Sequence, residues 1–204
     1  MVKVQLEPFA KVSFATAAEI ARLVDLSAEA RAYLLPELSP QGYLDLLVQA
    51  ELTGDAIRFL AFALPIREAV WWACVAVHGT VQSPGELETK CVQRAAAWVY
   101  EPGEDRRRAC MEVAEAAKFE GAAAYVALSV FWSGGSLAPE GLPDALPDPR
   151  LGPIGAAAAI LLALSAGDPA GLHKRFTAVM QRGLDIANGG NGWLKNDPPL
   201  IPAA

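Results

Sequence analysis

The chain has 204 residues, 53% of them hydrophobic and 20% charged, with a formal net charge of −6 at pH 7. Such a length fits one large domain or two small ones, and the apolar content suffices for a substantial core, which excludes an intrinsically disordered chain. The acidic balance, with Lys and Arg scattered apart from Arg106-Arg107-Arg108, argues against a nucleic-acid surface, because binding phosphates needs clustered cations.

Residues 1–15 alternate Val2, Val4 and Leu6 with polar neighbours, the pattern of a short extended arm. Helical signals then take over. Thr16 is placed to cap a helix through about Asp25, and Ser27 another that stops at Pro36. Ser39-Pro40 starts a third, since proline fits the first helical turn; Leu44, Leu47, Val48 and Leu52 form its face and Gly54 its stop. Asp55 opens a helix that breaks at Pro65, and a new one restarts there and runs to Gly79. Ser83-Pro84 repeats the start signal, with Leu87, Cys91, Ala95, Trp98 and Val99 on one side.

Pro102-Gly103 breaks the chain again. The next helix has acidic residues in its first turn, favourable to the helix dipole, and Ala109, Val113, Ala116 and Ala117 facing inward. Gly121 separates it from an alanine-rich helix that ends at Trp132. Residues 132–152 are rich in Gly and Pro. Pro153 and Asp168-Pro169 start two further helices, the second ending near Asn188-Gly189-Gly190, and 189–204 form a non-helical tail in which Trp193, Leu200 and Ile201 lie against the body. The expectation is a single all-α domain, 1–204, of eight to ten helices packed as antiparallel hairpins, compact rather than solenoidal.

The apolar windows 56–79 and 154–166 read as buried core helices, because the first is interrupted by charges and Pro65. The second falls short of the ~20 residues a membrane helix needs. No basic region followed by an apolar run opens the chain, and three widely spaced cysteines suggest a reducing, cytoplasmic setting.

Candidate chemistry is sparse. Cys74 and His78 stand four apart on one helix and, with Cys91 and Cys110, define a conceivable Cys₃His zinc site. Each cysteine also sits on an Ala/Val stripe where it serves as a small hydrophobe, so no metal or cofactor is expected. A Ser-His pair would need Ser133 or Ser136 beside His78 or His173, but neither serine occupies a nucleophile elbow, and turn or capping bonds are the simpler role. Trp71 and Trp72 are adjacent, about 100° apart on a helix, so one of them should be partly exposed. Together with Trp132, Ser133, Gly134, Gly135, Ser136 and Trp193 they are the candidate surface for a protein partner.

Segment 131–150 is expected to be an ordered connection. Gly134 and Gly135 would end the preceding helix, four prolines lower the entropy lost on ordering, Trp132 would be the anchor, and Leu137, Leu142 and Leu146 would pin the rest. The stretches "LPIREAVWWACVAV", "AAAWVYEPGEDRRRACMEVAEAAKFEGAAAYVALSVFWSGGSLAPEGLP" and "GLDIANG" resemble an uncharacterised bacterial family of helical proteins, over roughly residues 55–190, with "FWSGGSLAP" the most specific piece. The resemblance implies an accessory or adaptor role near type VI secretion and related toxin-delivery genes. The expected function is therefore non-enzymatic binding of another protein; the alternative is an enzyme or small-molecule binder with a pocket near 131–150.

Overall fold

The chain turns helical where apolar residues recur at three- and four-residue spacing, and after α1 the breaks fall where proline or a left-handed residue stops the ladder. A computed structural model describes residues 9–81, 83–139, 141–195, 197 and 200. Ten α-helices and no strand are found among the described residues: α1 (Ala17–Ala21), α2 (Ala28–Ala32), α3 (Pro40–Gln49), α4 (Thr53–Ala63), α5 (Ile66–Thr80), α6 (Glu86–Tyr100), α7 (Glu104–Ala116), α8 (Gly121–Phe131), α9 (Leu151–Ser165) and α10 (Leu172–Ala187). The alternating residues Val2, Val4 and Leu6 lie outside the described part. Further along the arm, Phe9 is buried and the Lys11 N–H donates to Ala187 O at 2.9 Å.

Several start signals act as expected. Ser27 accepts from the Ala30 N–H and Ser39 from the Gly42 N–H, each satisfying a first-turn donor. Asp168 accepts from the Ala170 N–H and opens a 3-10 turn that leads into α10. Thr16 precedes α1 but makes no capping bond, and α1 ends at Ala21 rather than near Asp25.

Four expectations need correction. Gly54 does not stop α3: it lies in the first turn of α4, and the stop is Glu51, at φ +57, with the Leu52 N–H bonded to Leu47 O. Asp55 is not an opening cap but a buried residue that accepts from the Ser27 N–H (2.8 Å), the Ser27 hydroxyl (3.0 Å) and Arg58 (3.0 Å), tying α2 to α4. Helix α9 begins two residues before Pro153, after Asp148 accepts from the Arg150 N–H. On α7 the inward residues are Arg107, Cys110 and Ala114, whereas Ala116 is exposed. A charged triplet conceals the buried face, because Arg107 turns in while its neighbours turn out.

From α5 to α9, sequential helices pack as antiparallel neighbours, and single bonds fix the register. Arg67 at the start of α5 reaches Val99 O at the end of α6, Cys91 of α6 meets Val113 O of α7, and Arg107 of α7 meets Phe131 O at the end of α8. The closest pairing is α8 with α9. A Cβ at Gly155 would lie 3.0 Å from Ser129 Cα, and one at Gly152 would lie 3.4 Å from Ser133 Cα. At the centre runs α5, buried without interruption from Ala69 to Val77 and touching α4, α6, α8, α9 and α10. A helix apolar on all sides has to be the core of a bundle, and here one contiguous apolar cluster extends from Phe9 to Leu200.

Candidate functional site

Both members of the tryptophan pair are enclosed, against the expectation that one would be partly exposed. Trp72 is 0% exposed and donates its indole N–H to Val179 O at 2.9 Å, pinning α10 to α5. Trp71 is 8% exposed and donates to Asn191 O at 2.7 Å. Its ring meets Tyr100 and Trp193 edge-on, with centroids 5.6 and 5.9 Å apart, and Trp193 in turn lies edge-on to His78. The rings are separated by about 100° yet both are covered, because the tail folds over the side of α5 that α10 leaves open.

The tail is held by a second device. Arg182 is buried on α10 and forms a two-pronged ion pair with Asp197, one arm of it 2.7 Å from Oδ1, and also donates to Gly192 O. Asp197 accepts from the Leu194 N–H at 2.7 Å. The Arg182 hydrogen bond holds the Asp197 carboxyl below its ordinary range; burial opposes this, and the Leu194 N–H and the charges of Arg182 and His78 reinforce it. A depressed carboxylate stabilises the fold above its unfolded value, about 3.9, and that contribution disappears as the pH falls through the lower folded value. Acidification below about pH 4 should therefore free the tail; the protection of the amides at 191–195, each rate referred to the intrinsic rate at that pH, should fall in acid in the native protein but be low already at neutral pH in Asp197→Asn. Equal protection of these amides in both proteins at pH 7 would contradict the latch.

Segment 131–150 is fastened differently from the expectation. Leu142 and Leu146 are 60% and 75% exposed and pin nothing, and Trp132 is only half-buried. Of the two glycines only Gly135 has a positive φ, +65. The anchor is Arg107, 4% exposed, which donates to Phe131 O and Ser136 O, is paired with Glu104 at 2.7 Å, and lies 4.7 Å from the Phe131 ring centroid. Arg108 adds a bond to Ala138 O. Ser136 closes the turn, its hydroxyl accepting from the Ala138 and Ala145 N–H groups while the Leu137 N–H donates to Ala145 O. The stretch is ordered by carbonyls collected around the buried Arg107 and the partly exposed Arg108, and Ser136 has the turn role that its sequence suggested.

The three cysteines are free, buried thiols. Burial pushes Cys91 up to about 11 and Cys110 up to about 12, and raises Cys74 too, so all three stay protonated at neutral pH. No metal-binding group of three His, Cys, Asp or Glu residues is found among the described residues. His173 is exposed on α10, while His78 is half-buried against Trp193.

Two surfaces went unnoticed in the sequence. Helix α9 carries no polar side chain before Ser165, which reads as a buried helix, yet Ile154 is 46% and Leu162 38% exposed, with Ala158 and Leu161 half-covered between them. These positions share one helical face, and Ile154, Ala158 and Leu161 form with Leu23, Leu26 and Phe62 a groove of about 520 Å³, edged by Asp25, Arg58 and Arg150; Leu162 lies outside it. A second cavity, of about 410 Å³, lies at the other end of α9, among the last turn of α5, α6, the first turn of α8 and Leu200. Of the described residues in 131–150, Arg150 alone lines either of them, at the edge of the groove.

Among the described residues, no helix is long and apolar enough to cross a membrane. No curated protein and no solved structure matches the chain. A family match extends over residues 43–187, from within α3 to the last residue of α10, well over half of the chain. By that match, the chain belongs to DUF6931, a family of unknown function.

Proposed function

We propose that this is a non-enzymatic, cytoplasmic accessory or adaptor protein that binds another protein through the open face of α9. The observation that carries this reading is a helix apolar around its whole circumference with one side left uncovered. Such a face costs solubility unless a partner covers it. The groove beside it is apolar along α9, and its edge carries Asp25 together with Arg58 and Arg150, which are paired with Asp55 and Asp148; this suits the apolar stripe of an amphipathic helix rather than a strongly charged segment. A second copy of this chain, also carrying −6, is the less favourable occupant. Trp132, Ser133, Gly134, Gly135, Ser136 and Trp193 keep some exposed surface and offer a secondary contact zone. In keeping with the resemblance to the helical bacterial family, the partner is sought among the products of neighbouring genes, with type VI secretion and toxin-delivery proteins the first to examine.

The test is a photo-crosslinking residue in place of Ala158, activated in the native host. A single recurring heterologous adduct that disappears in Ile154→Asp/Leu161→Asp, with the helical content of that variant unchanged, is the expected outcome. Absence of any adduct, or adducts only between copies of this chain, would rule the reading out.

A further inference from the structure

The geometry points to a small-molecule site in the cavity at the far end of α9, for a mostly apolar ligand that ends in a neutral oxygen acceptor. The walls come from four helices and the tail: Val81, Val92, Ala122, Ala123, Leu162 and Leu200 supply most of the surface. A volume of about 410 Å³ is within the range of ligand pockets. At the ~30 Å³ that a water-sized group occupies in a liquid, it takes about a dozen non-hydrogen atoms. An α-helix, about 10 Å across with its side chains, does not fit, so the occupant is a small molecule and not a protein segment.

The polar groups define the head of the ligand. The hydroxyls of Thr89 and Ser165 are spent on Gly85 O and Leu162 O, and His78 is engaged with the tail. What remains is the Gln93 amide and the first turn of α8, where the Glu120 side chain makes no capping bond. N–H groups at a helix start favour an acceptor. A full negative charge meets the Glu88 carboxylate at the rim and the overall −6, and a full positive charge meets the positive end of α8. An alcohol, ester or amide oxygen on an apolar tail satisfies both constraints. Leu200 closes one wall.

The cavity shares only Leu162 with the outward face of α9, and the inference is tested separately. Three ligands of equal chain length, 1-octanol, octanoate and octylamine, are titrated at pH 7 while the amide resonances of the protein are followed. Saturable shifts at Val92, Ala122 and Ala123 with 1-octanol, at least tenfold tighter than with the other two, are expected. Ala122→Phe and Val81→Phe, each filling the cavity from a different wall, should abolish those shifts; either variant decides the matter if the other fails to fold. No saturable binding, tighter binding of octanoate or octylamine, or unchanged binding in a folded filled variant would each overturn the assignment.

Discussion

Replacing Arg107 with Ala should lower stability by about 3 kcal/mol, toward the lower end of what removing one partner of a buried charged network costs. The side chain is almost wholly buried, and its loss strips hydrogen bonds from Phe131 O and Ser136 O along with the cation over the Phe131 ring. Bonds to a charged donor contribute more than neutral ones, about 1.5–3 kcal/mol each, while Glu104 is half-exposed and recovers hydration, which limits the loss. In a chain of this size that corresponds to a melting temperature about 6–12 °C lower. Arg107→Lys should recover only part of it, because an ammonium cannot span two carbonyls and a carboxylate as the planar fork does. Gly135→Ala should reproduce much of the effect. Its Cβ would lie 2.8 Å from Arg107 Nε, and φ +65 already disfavours any side chain. Both variants should speed amide exchange across 133–150, and both should be worse than Trp132→Ala. If Trp132→Ala is the more damaging change, or if Arg107→Ala leaves exchange in that stretch unaltered, the anchor has been misplaced.

Trp72→Ala should cost about 3–5 kcal/mol, the range for truncating a buried aromatic side chain. Three elements meet at this ring: α5 supplies it, α10 accepts its N–H at Val179 O, and Leu60 of α4 lies beside it. Gly183 is what allows α10 this close, since a Cβ there would sit 2.7 Å from both Leu60 Cδ2 and Trp72 Cε2. Gly183→Ala should therefore destabilise by about 1–3 kcal/mol through overpacking. Trp72→Phe loses one hydrogen bond, about 1 kcal/mol, along with ring volume. The double variant should be less harmful than the sum of the singles, because the smaller ring vacates the space the methyl needs. Chemical denaturation of the four proteins measures this, and strict additivity would show that Gly183 and Trp72 do not share a contact.

Much of the architecture was legible in the chain. Periodic apolar residues, Ser27 and Ser39 before helix starts, and prolines at 65, 84 and 102 act within a few residues, so helix number, order and antiparallel pairing follow from local chemistry. The left-handed stops at Glu51 and at Lys118-Phe119 were not legible, since no glycine marks them and only the packing on either side forces the backbone there.

What the tertiary structure alone decided was the side of each helix that meets a neighbour. Arg107 looked like one cation of a solvated triplet, and became the anchor of the hinge only once the end of α8 and the turn after it each presented a carbonyl to it. The leucines at 142 and 146 looked like pins and face water, because polar bonds had already fixed the segment. A sequence without polar residues, as in α9, says that a helix is sticky but not which side finds a partner within the fold. Long-range proximity makes that choice, and it leaves uncovered the apolar face on which the proposed function rests.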